Sequence, residues 1–185
     1  MAILGCAVTI LCGLQQPPKT VIPVLTVCEA LRNIKSYRGK EIAVVGRSAF
    51  TFEGDFISEQ CEPDGTVMIQ GHKWLTTIYL THVDETFATQ KTLAIDENLL
   101  QQKLALVRRS TNLTTRNKPP QEKGMFSDHW LAVVGRLESP GLLIPHRPPQ
   151  GVDPVNKPGN GYGSNGSVPA KMVHIEIREL SSPEQ

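Results

Sequence analysis

Ala43-Val-Val-Gly-Arg47 and Ala132-Val-Val-Gly-Arg136 are the same five residues, met twice in one chain of 185. Valine suits a pleated, half-buried surface, so each copy reads as part of a strand. Glycine inside such a strand weakens it unless the sheet bends there or another backbone comes close. Small closed sheets bend their strands with glycines and bulges. Two strands with the same Gly-Arg step therefore predict a strongly coiled, closed sheet.

Working outward, residues 40–50 form a predicted strand with Ile42, Val44 and Gly46 on one face and Ala43 and Val45 on the other. Upstream, Thr26-Val-Cys-Glu29 has the form of a capping box. Val27, Ala30, Leu31 and Ile34 follow at helical spacing, and Gly39 supplies the stop. The expected helix covers 27–36. Downstream, Glu53-Gly54-Asp55 predicts a turn and 56–61 a returning strand. Pro63-Asp64-Gly65 predicts a second turn, with strands at 66–70 and 74–81. Asp96-Glu97 opens a second helix, and Arg108-Arg109 end it where cations suit the dipole. Residues 110–124 read as a polar loop, 130–138 as a strand, and 140–169 as a long Pro/Gly/Asn segment. Residues 170–180 close the chain with Val173, Ile175 and Ile177 expected inward and His174, Glu176 and Arg178 outward. The pattern predicts a mainly β fold: a five- to six-stranded OB-like barrel with an N-terminal capped helix and one helix between strands.

One such domain suits this length, and 39% hydrophobic with 20% charged residues is a globular mixture. Residues 1–14 are uncharged and largely apolar, and Gln15-Gln16-Pro17-Pro18-Lys19 ends the run. That length fits the apolar part of an export signal and is short for a membrane span. Ile3-Leu4-Gly5-Cys6 resembles a bacterial lipobox. The expectation is a signal or anchor segment over 1–22, with membrane association possible through it, and a barrel domain over 23–185. The protein is then extracytoplasmic: periplasmic, envelope-associated or secreted. Two cysteines, Cys28 and Cys61, lie in the body without metal-site spacing. Behind an export signal they invite one disulfide, with two buried free thiols as the alternative.

A resemblance bears on these expectations. Val27-Cys-Glu-Ala-Leu31, Tyr37-Arg-Gly-Lys40, Val45-Gly-Arg47, Phe52-Glu-Gly54 and Ile57-Ser-Glu-Gln-Cys61, with Gly161-Tyr-Gly163 and Pro169-Ala-Lys-Met-Val173, resemble a family of uncharacterised exported bacterial proteins. Those are short chains with a signal or lipoprotein segment and an OB-like domain. The resemblance spans about residues 24–180. It implies the fold, export and a paired Cys28 and Cys61; it implies no activity.

No motif points to catalysis. Gly161-Tyr-Gly163-Ser-Asn-Gly166 matches G-x-G-x-x-G, but prolines flank it where a strand and a helix are required, so it reads as a tight loop. His72, His82, His129, His146 and His174 show no helical zinc pair and no H-E-x-x-H. They read as solvated or hydrogen-bonded surface histidines, with no metal and no cofactor expected. Glu53, Asp55, Glu59 and Glu62 read as a solvated acidic rim. Arg108, Arg109, Arg116, Lys118 and Lys123 form a basic group without interleaved aromatics. A net charge of +1 offers little phosphate attraction. The expected function is a non-catalytic binding or structural domain for a protein, glycan or small ligand. The OB-fold nucleic-acid module is the alternative, carried by fold analogy alone. The expected contacts are Trp74, Tyr79 and Tyr162, with Arg47 and Arg136 from the echoed steps.

Overall fold

β3 (Glu41–Thr51) and β9 (Phe126–Glu138) carry the two echoed segments, and these lie side by side. They pair antiparallel with Ala43 opposite Val134, Val44 opposite Val133 and Val45 opposite Ala132. The echo thus reads onto itself about the Val44–Val133 pair. In the computed structural model the described residues are 19–61, 65–82, 93–115, 126–145, 159–163 and 166–180.

The echoed glycines sit where neither strand tolerates a side chain. A Cβ on Gly135 would come within 2.4 Å of the Val173 carbonyl oxygen and 2.7 Å of the His174 Cα. One on Gly46 would meet Ile57 at 2.7 Å and Val27 at 2.8 Å. Both places adjoin a register break: between Arg47 and Ala49 on β3, and between His174 and Glu176 on β10 (Ala170–Leu180). The strands bend there, as a coiled sheet requires.

Following the hydrogen bonds round the sheet gives β3, β4 (Gly54–Ser58), β7 (Thr77–His82), β10, β9 and β3 again, a five-strand ring. Within it only β7 and β10 run parallel. A short β2 (Val24–Thr26) adds to β3 in parallel. The hairpin of β5 (Thr66–Ile69) and β6 (His72–Leu75) stands as a separate pair.

Both faces of β3 are buried, as its apolar run suggests. Ile42 and Val44 join Ile57, Ile78, Val133, Leu137 and Met172 in the main core, together with Val27 and Leu31 of α1 (Val27–Arg32). Ala43 and Val45 point the other way, into a second core with Ile22, Ala132, Val134 and the Leu100 and Leu104 side chains of α3 (Glu97–Thr115). Capping starts both helices. The Thr26 hydroxyl accepts from the Glu29 N–H, Glu29 accepts from the Thr26 N–H, and Asp96 accepts from the Leu99 N–H. Glu29 also receives Lys103 of α3 at 2.5 Å, which ties the two helices together.

Several expectations are corrected. The first helix breaks at Asn33 into α1 and α2 (Ile34–Tyr37). The first hairpin turns at Phe52–Glu53, because Thr51 already pairs with Gly54, so Gly54 and Asp55 belong to β4. The predicted strand 74–81 is two strands parted at Thr76. The second helix runs on to Thr115, and β9 begins at Phe126. On β10 the alternation is reversed: Met172 and His174 are buried, whereas Ile175 and Ile177 are 50% and 43% exposed. The reversal is set ahead of the shift after His174: Met172 lies opposite the core residue Leu137 and Val173 opposite the exposed Arg136, and the register then skips Ile175. Thr20–Val21 form β1, paired with β8 (Leu93–Ala94), and Ile22 is buried. Ordered packing therefore begins ahead of Pro23, while residues 1–18 of the expected signal segment lie outside the described residues.

Gly135→Ala should destabilise the fold by about 1–3 kcal/mol or more, since the clash is with backbone that cannot rotate away. Urea unfolding measures this, and an unchanged midpoint would show that the two strands do not approach as described.

Candidate functional site

The outward faces of the ring strands line up into one row. Ala49 of β3 lies opposite Phe56 of β4, Phe56 opposite Tyr79 of β7, Tyr79 beside Lys171 of β10, and Lys171 opposite Glu138 of β9. The loop before β10 folds over this row. Tyr162 and Val168 exchange backbone hydrogen bonds, and Gly163 and Gly166 take positive φ to close the turn. The G-x-G-x-x-G stretch is thus a tight loop, with Gly161 and Gly166 packed against backbone that leaves no room for a Cβ.

Tyr162 and Val168 complete an aromatic cluster with Ala49, Phe56 and Tyr79. The Phe56 and Tyr79 rings lie 5.2 Å apart and tilted. The Tyr79 hydroxyl donates to the Glu53 carbonyl at the hairpin tip. Lys171 Nζ stands 5.4 Å from the Tyr162 ring centre and 3.1 Å from Glu138. Arg136 grips the same carboxylate with Nη2 at 2.8 Å and Nε at 3.1 Å. Burial opposes ionisation of Glu138, but hydrogen bonds from Arg136 and Lys171 win and hold its pKa below the ordinary value. Burial, with Glu138 nearby, raises the pKa of the Tyr162 phenol. Among the described residues the belt is a chain of aromatic and paired charged groups.

Of the five expected contacts, Tyr79, Tyr162 and Arg136 meet in this belt. Arg47 also faces outward, but it lies opposite Ser58 and Trp130, away from the others. Trp74 is a core residue, only 3% exposed, because the β5–β6 hairpin turns its Val67, Ile69 and Trp74 face onto the main core. Its indole N–H is buried and has no hydrogen-bond partner among the described residues. Lys171, Glu138 and Phe56 join the belt without having been singled out in the sequence. Their strands are legible, but only the register brings them together.

A second cluster lies where α1 meets the ring. Cys28 and Cys61 form a disulfide with Cα atoms 5.7 Å apart, both side chains buried. Beside it Glu59 accepts from the Cys28 N–H at 2.7 Å. Burial raises the Glu59 pKa above 4.5, hydrogen bonds from Cys28 and Thr26 pull against this, and Glu29 adds to the rise. Glu59 is therefore no part of a solvated acidic rim. Thr76 clamps the same turn, donating to the carbonyls of Glu59 and Gly65. Cys28, Glu59 and Cys61 bring potential ligand atoms together, but the disulfide engages both sulfurs. His174 also departs from expectation: it is buried, with its ring against His82. Glu62, Arg116, Lys118, Lys123 and His146 lie outside the described residues.

Compared with protein-family models, curated proteins and solved structures, the chain finds no match.

Replacing both cysteines by alanine should cost about 3–4 kcal/mol, the chain entropy that a bond across 33 residues removes from the unfolded state. Denaturant unfolding with and without reductant measures it; equal stability of the wild-type chain in both would contradict the staple. Glu59→Gln has a definite pH signature. Because the folded-state pKa is raised, the carboxyl's contribution is fully present below about 4.5 and is lost as pH rises through the folded value. The stability of the variant relative to wild type should therefore climb across that window and level off above it. A difference independent of pH would show that Glu59 is not desolvated.

Proposed function

We propose that this protein is a non-catalytic, extracytoplasmic binding domain of OB type, and that the Phe56–Tyr79–Tyr162 belt is its ligand face. The observation that carries the reading is the ring order. The first three ring strands, β3, β4 and β7, are neighbours, and the fourth, β9, returns to pair with the first. That is a Greek key. Adding β10 between β9 and β7 gives the five-stranded Greek-key closure of an OB barrel, with α3 between its third and fourth strands. In such barrels ligands lie on the face of the second and third strands, flanked by the loops after the first and fourth. Here that face carries Phe56 and Tyr79, and those loops supply Glu53 and Tyr162.

The surroundings support binding over turnover. Phe52, at the tip of the hairpin that borders the belt, is 95% exposed and adds apolar surface beside it. Lys171 and Arg136 are both spoken for by Glu138, which leaves the belt little net positive charge for phosphates. The buried disulfide supports an oxidising compartment, and the likeness to exported bacterial OB-like chains belongs to the same reading. The ligand in this account is an extended protein segment, a glycan or a small amphipathic molecule that lies across the two tyrosines.

Fluorescence anisotropy with labelled single-stranded DNA and RNA at physiological salt tests the choice between ligands. The expected result is no binding tighter than the usual non-specific range of about 10⁻⁴–10⁻⁶ M. Tighter binding that falls on Tyr79→Ala or Tyr162→Ala would replace this reading with a nucleic-acid module on the same face.

A further inference from the structure

Among the described residues, three metal-ligating atoms converge at the joint between α1 and the turn after β4. The Cys28 and Cys61 sulfurs and a Glu59 carboxylate oxygen all lie within 4.8 Å of one another. Both backbones are also held by contacts other than the disulfide. On one side Cys28 belongs to α1, which the Thr26–Glu29 capping box starts and Val27 and Leu31 anchor in the main core. On the other, the Glu59 N–H donates to the Thr76 carbonyl at 3.1 Å, and the Thr76 hydroxyl donates to the Glu59 and Gly65 carbonyls. The Gly65 N–H donates in turn to the Cys61 carbonyl at 2.7 Å. The carboxylate is itself fixed: the Cys28 N–H donates to it at 2.7 Å, and the Thr26 hydroxyl hydrogen-bonds to it. Opening the disulfide therefore leaves two thiols and a carboxylate converging on one point.

We propose that the reduced chain binds one Zn²⁺ ion through the Cys28 and Cys61 thiolates and the Glu59 carboxylate. In the oxidised chain the two sulfurs are bonded to each other, so the site exists only in the dithiol form. A dithiol reductant supplies the change: the Cys28–Cys61 bond breaks, the reductant closes to its own disulfide, and its two protons pass to the two sulfurs. Zinc then displaces both protons to solvent, because thiolate is the ligating form. Two sulfurs at about 2.3 Å and an oxygen at about 2.0–2.2 Å around a tetrahedral ion stand about 3.5–3.8 Å from one another. Cysteine Cα atoms 5.7 Å apart allow this, since each sulfur swings on its own Cα–Cβ bond. Thiolate ligands select zinc over calcium or magnesium. Water takes the fourth position. The Cys28 N–H and the Thr26 hydroxyl orient the carboxylate, the outer support that metal-bound carboxylates carry. The ion ties α1 to the same turn as the disulfide does, so the joint has one staple in oxidising surroundings and another in reducing ones. A separation of 33 residues hides the pair from any reading of metal-site spacing. The site lies apart from the aromatic belt and does not rest on the ligand proposed for it.

The test starts from the full chain reduced with dithiothreitol in denaturant, desalted without oxygen into neutral buffer, and titrated with Co²⁺ and then Zn²⁺. The expected result is one ion per chain, saturating below about 0.1 mM metal, with a thiolate-to-cobalt charge-transfer band that Zn²⁺ abolishes. The oxidised chain should show no such band. Cys28→Ser and Cys61→Ser should each weaken binding roughly tenfold or more, and so should Glu59→Gln. The last variant guards against loss of fold, because its stability relative to wild type is greatest above the Glu59 pKa. Replacing Cys6 and Cys12 by serine should leave binding unchanged. No saturation by about 0.1 mM metal, a band that survives loss of both Cys28 and Cys61, a band lost with Cys6 and Cys12, or equal affinity in Glu59→Gln and wild type would overturn the proposal.

Discussion

The antiparallel pairing of β3 with β9 is the contact on which the rest of the structure depends. It turns a row of strands into a ring, and it does so through two copies of one short sequence laid against each other. Each copy contributes a valine to the interior and an alanine and a valine to the side covered by α3. The central strands are thus buried on both faces, and the two cores are built on one pair of strands. The glycine in each copy admits the close backbone approach that the bend demands. Without the bend, five strands would form an open sheet with two unpaired edges.

Ring closure also determines where functional groups lie. Once β10 sits between β7 and β9, Lys171 is placed between Tyr79 and Glu138, and the loop leading into β10 lays Tyr162 across them. The inner side of the same strands brings the His82 and His174 rings into contact. At the helical side, the disulfide and the Glu59–Cys28 hydrogen bond fix α1 to the turn after β4. Burying a carboxyl there costs stability. Its retention is consistent with fixing a geometry, because its acceptor oxygen satisfies a backbone N–H that would otherwise be buried and unpaired.

What could be read from the sequence was what depends on local pattern. The Thr26–Glu29 box, the division of β3 into an Ile42–Val44 face and an Ala43–Val45 face, the loop character of the glycine motif and the existence of the main strands all follow from short spacings. What could not be read depends on partners distant in sequence. β10 alternates cleanly from Val173 to Arg178, yet its pairing with β9 puts Met172 and His174 on the covered face, and alternation alone shows neither which phase faces the core nor that the register skips Ile175. Trp74 looks like an exposed strand aromatic until the β5–β6 hairpin is known to fold onto the core. Glu59 looks like one more surface acid until Cys28 is brought to it across the disulfide. The second helix outran its predicted end because propensity differences of a few tenths of a kcal/mol per residue do not stop a helix already under way. In the binding belt, Tyr79, Tyr162 and Arg136 were identifiable by residue type, while Lys171, Glu138 and Phe56 became visible only through register.

Amide hydrogen exchange followed by NMR is the most direct test of ring closure. The amides that bond β3 to β9, around Val44 and Val133, should be among the slowest in the protein and exchange only on global unfolding. They should be matched in protection by those linking β9 to β10. If the β9 amides facing β3 instead exchanged far faster than those between β3 and β4, the sheet would be open along that seam. The common origin of the two cores, the belt and the inner histidine pair would then be wrong.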